Sequence, residues 1–134
     1  VNTDPTRVPT GIAIDPFNNF HAWVSYSGYN FNTPNQPGHI FSVTWSGVGA
    51  ATWTNITNNL PDLPLTDVVV DPVTGDLYVS SDFIVFRLAA GHTIWDVAGL
   101  GMPIVEVPHL TIVPSARIIY ASTHGLGGWF MSLY

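Results

Sequence analysis

Trp53 recurs as Trp95, and Leu60-Pro61 recurs as Met102-Pro103, each pair offset by 42 residues. The same offset carries Asp71-Pro72 onto Val113-Pro114, Tyr78 onto Tyr120 and Ser80 onto Ser122. One register shared by aromatic, proline and small polar positions marks an internal repeat, which limits the chain to stacked copies of one supersecondary unit. An earlier copy exists. Gly11 to Pro16 (GIAIDP) parallels Thr66 to Pro72 (TDVVVDP), with the two Asp-Pro steps 56 residues apart. The surplus fits an insertion in one loop, Tyr29 to Gly38 (YNFNTPNQPG). Its Asn, Pro and Gly content marks an irregular surface loop, and such loops on rigid scaffolds often carry function.

The patterning predicts eleven short strands. The first unit has Gly11–Asp15, His21–Ser27, His39–Trp45 and Ala51–Thr57; the second has Thr66–Val70, Asp76–Ser80, Ile84–Leu88 and Thr93–Val97. The third has His109–Val113, Arg117–Ser122 and Gly128–Leu133. β-Branched and aromatic residues dominate and alternation is incomplete, which suits strands covered on both faces. No segment has an amphipathic helical pattern. The expected fold is all-β: β-propeller blades, two complete four-stranded ones and a third short of one strand, in a single domain 1–134. The blades should span about residues 9–62, 63–104 and 105–134.

Propellers close with about four to eight blades, so three would leave two apolar faces open. The expectation is a partial propeller belonging to a longer chain, or a ring completed by oligomerisation. Two copies of three units would give six blades. Val1–Pro9 is a poor candidate for an extra strand because of Pro5 and Pro9. The start at Val1 without Met suggests a processed or excised segment, and no signal peptide is visible.

Charge narrows the partners. The chain has no lysine, three arginines (Arg7, Arg87, Arg117), eight Asp and one Glu, for a formal net charge of −6. Nucleic acid and anionic membranes are excluded as partners on this balance, since phosphate neutralisation needs clustered Lys and Arg. No apolar run is long enough for a transmembrane helix. The absence of cysteine rules out disulfides and thiolate chemistry.

Several segments carry a family resemblance. Ala51-Thr52-Trp53-Thr54, Leu60 to Pro64 (LPDLP), Val70 to Val79 (VDPVTGDLYV) and Tyr120 to Gly125 (YASTHG) resemble sialidase-like β-propellers built from BNR or Asp-box repeats, of the WD40/YVTN type. They look most like the C-terminal blades of large bacterial extracellular proteins. The resemblance implies an extracellular or cell-surface location and carbohydrate handling. Ser46 to Trp53 and Leu88 to Trp95 keep the Trp of the Asp-box and part of its Gly/Thr frame, but both lack the Asp. A sialidase also uses three convergent arginines. Arg7, Arg87 and Arg117 fall ahead of the first strand, late in a third strand and in a turn of the opposite face, so they are not expected to converge.

The repeat itself gathers a candidate site. Asp67 and His109 hold equivalent positions at the head of an inner strand, and Asp82 and His124 equivalent positions between second and third strands. Glu106 precedes an inner strand, and the 29–38 insertion rises from the same rim. Glu106, Asp67 and His109 are the candidate acid–base residues. Asp67, His109, Asp82 and His124 are the candidate ligands should a divalent metal be the cofactor. Tyr26, Tyr29 and Phe31, with Asp82 and His124, are the candidate ligand contacts, because rings beside amides suit a glycan or small molecule. Ser81, Asp82 and His124 share the rim as a Ser/His/Asp set. Trp23, Tyr78 and Tyr120 are expected in the core. The function expected is a non-catalytic binding or scaffold segment, with a glycosidase-like hydrolase completed by other blades, or a metal-binding protein, as alternatives.

Overall fold

A computed structural model describes residues 7–133. It is all-β apart from two single 3-10 turns, Asn30–Asn32 and Pro114–Ala116. Strands β1 (Pro9–Ile14), β2 (His21–Tyr26), β3 (Ile40–Thr44) and β4 (Thr52–Asn55) form one antiparallel sheet in chain order. Strands β5 (Leu65–Val70), β6 (Leu77–Ser81), β7 (Val85–Leu88) and β8 (Trp95–Val97) form the second. Strands β9 (His109–Val113), β10 (Ile118–Ser122) and β11 (Gly128–Ser132) form the third, which has three strands among the described residues. Consecutive four-stranded meanders stacked face to face are blades of a β-propeller. The segment 1–6, the bulk of the stretch weighed above as an added strand, lies outside the described residues.

The faces alternate as strand geometry requires. One face of the second sheet (Leu65, Val68, Leu77, Val79, Phe86, Leu88 and Trp95) packs on Ala13, Trp23, Ile40 and Ile56 of the first unit. Its other face, with Val69, Tyr78 and Val85, packs on Leu110, Ile119 and Ala121 of the third. Trp95 is tied between units: its indole N–H donates to the Ile56 carbonyl (2.9 Å), and its backbone N–H to Asn59 Oδ1 (2.7 Å). Its repeat partner Trp53 instead packs with Val24, Tyr26 and Phe41 on the free face of the first sheet.

A polar latch repeats at the heads of the inner strands. β1 and β5 each carry an irregularity, between Pro9 and Gly11 and between Leu65 and Asp67. The residues inside it, Thr10 and Thr66, turn their hydroxyls to the next unit. Thr10 donates to the Leu65 carbonyl at 2.9 Å, Thr66 to the Val107 carbonyl at 2.5 Å. The position 42 residues after Thr66 is Pro108, which has no hydroxyl to offer.

One core expectation is corrected. Tyr78 is fully buried, but Tyr120 is 45% exposed and rests against Phe130, itself 68% exposed. Both stand on the face of the third sheet that turns away from the second. Ile12 and Ile14 are exposed on the corresponding free face of the first sheet. Position in the repeat makes these residues core-like; what is missing among the described residues is a neighbouring blade.

Candidate functional site

Asp67 sits near the stacking axis, buried where three units meet. Its Oδ1 accepts the Val68 N–H (2.8 Å), and its Oδ2 accepts the Leu110 N–H (2.9 Å) and faces His109 Nδ1 at 2.7 Å. On the other side is Gly11, where a Cβ would lie 2.7 Å from Asp67 Oδ1. The Asp67 carboxylate is therefore occupied in joining blades, while the His109 ring stays mostly exposed.

The second cluster lies between β6–β7 and the lead-in to β9. Glu106 Oε2 faces His124 Nδ1 at 3.0 Å, and the His124 N–H donates to the Glu106 carbonyl. Burial pushes the Asp82 carboxyl above its ordinary value, and the Glu106 charge raises it further. Asp82, Glu106 and His124 are thus brought together on one rim, as are Asp67 and His109, but as two separate groups. No group of three or more His, Asp or Glu with metal-holding geometry occurs among the described residues. The expected set Asp67, His109, Asp82 and His124 is not one ligand set, because Asp67 is consumed by backbone N–H groups and His109. Nor do Ser81, Asp82 and His124 form a triad. The Ser81 hydroxyl donates to the Ile84 carbonyl and accepts from the Phe83 and Ile84 N–H groups, and His124 turns to Glu106.

The 29–38 loop is held at both ends. Arg7 donates to the Gly28 and Gly38 carbonyls. Asp62 Oδ1 accepts the Asn30 N–H (2.9 Å) and faces His39 Nε2 (2.8 Å). Burial is the main cause lowering the His39 pKa, against the Asp62 bond. On this frame Tyr29 and Phe31 stack with centroids 6.1 Å apart and planes 22° from parallel. Phe31 is 76% exposed, and the residues that follow it in the loop, Asn32, Thr33, Pro34, Asn35 and Gln36, line a polar cleft. Tyr26 does not join them. It is buried, edge-on to Phe41 at 5.8 Å, in the cluster with Val24 against which Trp53 packs.

The three arginines are apart, each with its own partners: Arg7 on the loop carbonyls, Arg87 on Asp76 and Arg117 on Asp71. The opposite rim also holds an arrangement the sequence reading passed over. His21 Nδ1 faces Asp15 Oδ2 at 2.7 Å, and His21 Nε2 faces the Ser42 hydroxyl at 2.7 Å. The signal was present: an Asp-Pro turn, a His six residues later at the strand head, and a Ser on β3 paired with Trp23, so on the His21 face.

These sheets define a β-propeller fold. Neither a protein-family model nor a curated protein matches the chain. Among solved structures it is similar in fold to a gluconolactonase from Xanthomonas campestris, with a TM-score of 0.67 and 21% identity. The match covers 96% of this chain and 38% of that one, so this chain spans well under half of its neighbour.

Proposed function

We propose that this chain is the ligand-binding part of a larger propeller, recognising a carbohydrate or similarly polyhydroxylated small molecule at the 29–38 loop. The observation that carries this reading is the exposed Tyr29–Phe31 stack on a doubly anchored loop, beside the amides of Asn32, Asn35 and Gln36. A sugar offers an apolar ring face to the stack and hydroxyls to the amides, and the prior anchoring lowers the ordering cost of binding. The free faces bearing Ile12 and Phe130 are covered in the working protein by further blades, of the same polypeptide or of a second copy. An extracellular or cell-surface location belongs to this proposal. Its finer placement among sialidase-like BNR repeats rests on the sequence segments 51–54, 60–64, 70–79 and 120–125, with Trp53 and Trp95 behind their partial Gly/Thr frames.

A second reading has its own support. Asp82, whose carboxyl pKa is raised by burial and by the Glu106 charge, stands by Glu106 and His124, and such a group of carboxyls and imidazole suits acid–base hydrolysis. The fold neighbour is an enzyme named for a sugar lactone, which favours a hydrolase acting at this rim.

A panel of mono- and oligosaccharides on an array, followed by calorimetric titration of the strongest hit, tests the first reading. Phe31→Ala should weaken binding by about tenfold, the scale of one aromatic contact, with unchanged thermal stability. Binding that ignores Phe31→Ala and Tyr29→Ala, or no binding to any sugar, would overturn it.

A further inference from the structure

We propose that Ser42, His21 and Asp15 form a second site, a serine-hydrolase-type acyl-transfer centre that takes small esters in the cleft between the first and second sheets. The geometry is that of nucleophile, base and orienting carboxylate in hydrogen-bonded series, which identifies such centres on unrelated folds. Asp15 Oδ1 accepts the Phe17 N–H (2.8 Å), so its Oδ2 is fixed toward His21. Burial alone would raise the Asp15 carboxyl, but the Phe17 N–H and His21 outweigh it and keep it ionised. A carboxylate only accepts, so His21 Nδ1 carries the proton and Nε2 is left to receive the Ser42 O–H. The His21 ring is also held against Trp23, with centroids 4.4 Å apart.

Ser42 opens onto a cleft of about 180 Å³ lined by Trp23, Ile56, Leu77, Leu88 and His92. That volume admits an acetyl or short acyl group against apolar walls. In the reaction, the Ser42 oxygen bonds to the ester carbonyl carbon as its proton passes to His21 Nε2. The C–O bond to the alcohol then breaks, and the leaving oxygen takes that proton. Water, giving its proton to His21, attacks the acyl-Ser42, and release of the acid returns the proton to Ser42. Ester and water become acid and alcohol. Trp23 and His92 are the cleft-lining residues whose side chains carry N–H groups, and Ser42 lies in mid-strand rather than on a nucleophile elbow, where backbone N–H groups would meet the oxyanion. Turnover should therefore be slow, since one missing oxyanion donor costs about 10²–10³ in kcat.

The test is labelling of the folded chain with a fluorophosphonate, peptide mapping by mass spectrometry, and turnover of p-nitrophenyl acetate. The expected result is a single label on Ser42, absent in Ser42→Ala and reduced at least tenfold in His21→Gln and Asp15→Asn. Circular dichroism of Ser42→Ala should remain that of a β protein. An unlabelled Ser42 in the folded wild-type chain would overturn the proposal. In that case, a fall in thermal stability in His21→Gln would show the series to be a strand-to-turn clamp only.

Discussion

Asp71 and Arg117 meet in a two-point ion pair, both contacts 2.7 Å, between the β5–β6 turn and the start of β10. The carboxylate is buried, and the pair joins the second and third blades on the rim opposite Asp67. Burial alone would raise the Asp71 pKa. Arg117, the Val73 N–H and the Thr74 hydroxyl outweigh it and bring the group to about 2 from 3.8. A depressed carboxyl stabilises the fold above its unfolded pKa and loses that contribution as pH falls through the folded value. Asp71→Asn should cost about 2 kcal/mol at neutral pH. Denaturation as a function of pH should show the difference between wild type and variant shrinking between about pH 4 and 2. A difference that stays constant across this range would refute the assignment.

Gly11 is required by the close approach of the second blade. A Cβ there would stand 2.8 Å from the Val68 backbone nitrogen as well as against Asp67, and backbone cannot step aside. Gly11→Ala should destabilise by about 1–3 kcal/mol, the cost of overpacking, read as a lower urea midpoint with unchanged slope.

Tyr78 offers a change in the opposite direction. Its hydroxyl is buried with no hydrogen-bond partner among the described residues, and burial raises its pKa. Tyr78→Phe removes an unsatisfied polar atom while keeping the ring, so stability should be unchanged or higher by about 1 kcal/mol. A loss above about 1 kcal/mol would mean that the hydroxyl has a partner.

Phe130 and Tyr120 separate repeat position from actual burial. Phe130→Ser should leave the stability of the isolated chain within about 0.5 kcal/mol, as for an exposed site, and should raise its solubility. Trp95→Phe, which loses the bond to Ile56 and leaves space in the core, should cost about 2 kcal/mol or more by the same urea titration.

The strand order was legible because a repeat supplies its own control: each apolar run appears with its turn at a fixed offset. All eleven runs became strands, within a few residues at their ends. Burial was less legible. Tyr26 and Tyr120 lie on equally β-like segments, and only their tertiary surroundings decide which side chain meets water: Tyr26 is covered by Val24, Phe41 and Trp53, whereas Tyr120 rests on the exposed Phe130. Side-chain partners were the least legible. Asp15 and Asp71 head equivalent turns, but one holds His21 within its own sheet and the other Arg117 of the next. The offset that aligns backbone positions does not say which basic group stands opposite. The rim showed the same limit, since the repeat placed Asp67, His109, Asp82 and His124 on one side without fixing the distances that divide them into two groups.

The central claim is that these three blades are part of a ring, with the faces bearing Ile12 and Phe130 made to be covered. Light scattering of the purified 14.5 kDa chain, with a fluorescent hydrophobic dye present, tests it most directly. The account predicts either a closed assembly of defined multiple mass that binds little dye, or an unassembled chain that binds dye strongly and self-associates as concentration rises. A folded 14.5 kDa monomer, stable at all concentrations and dye-free, would contradict it.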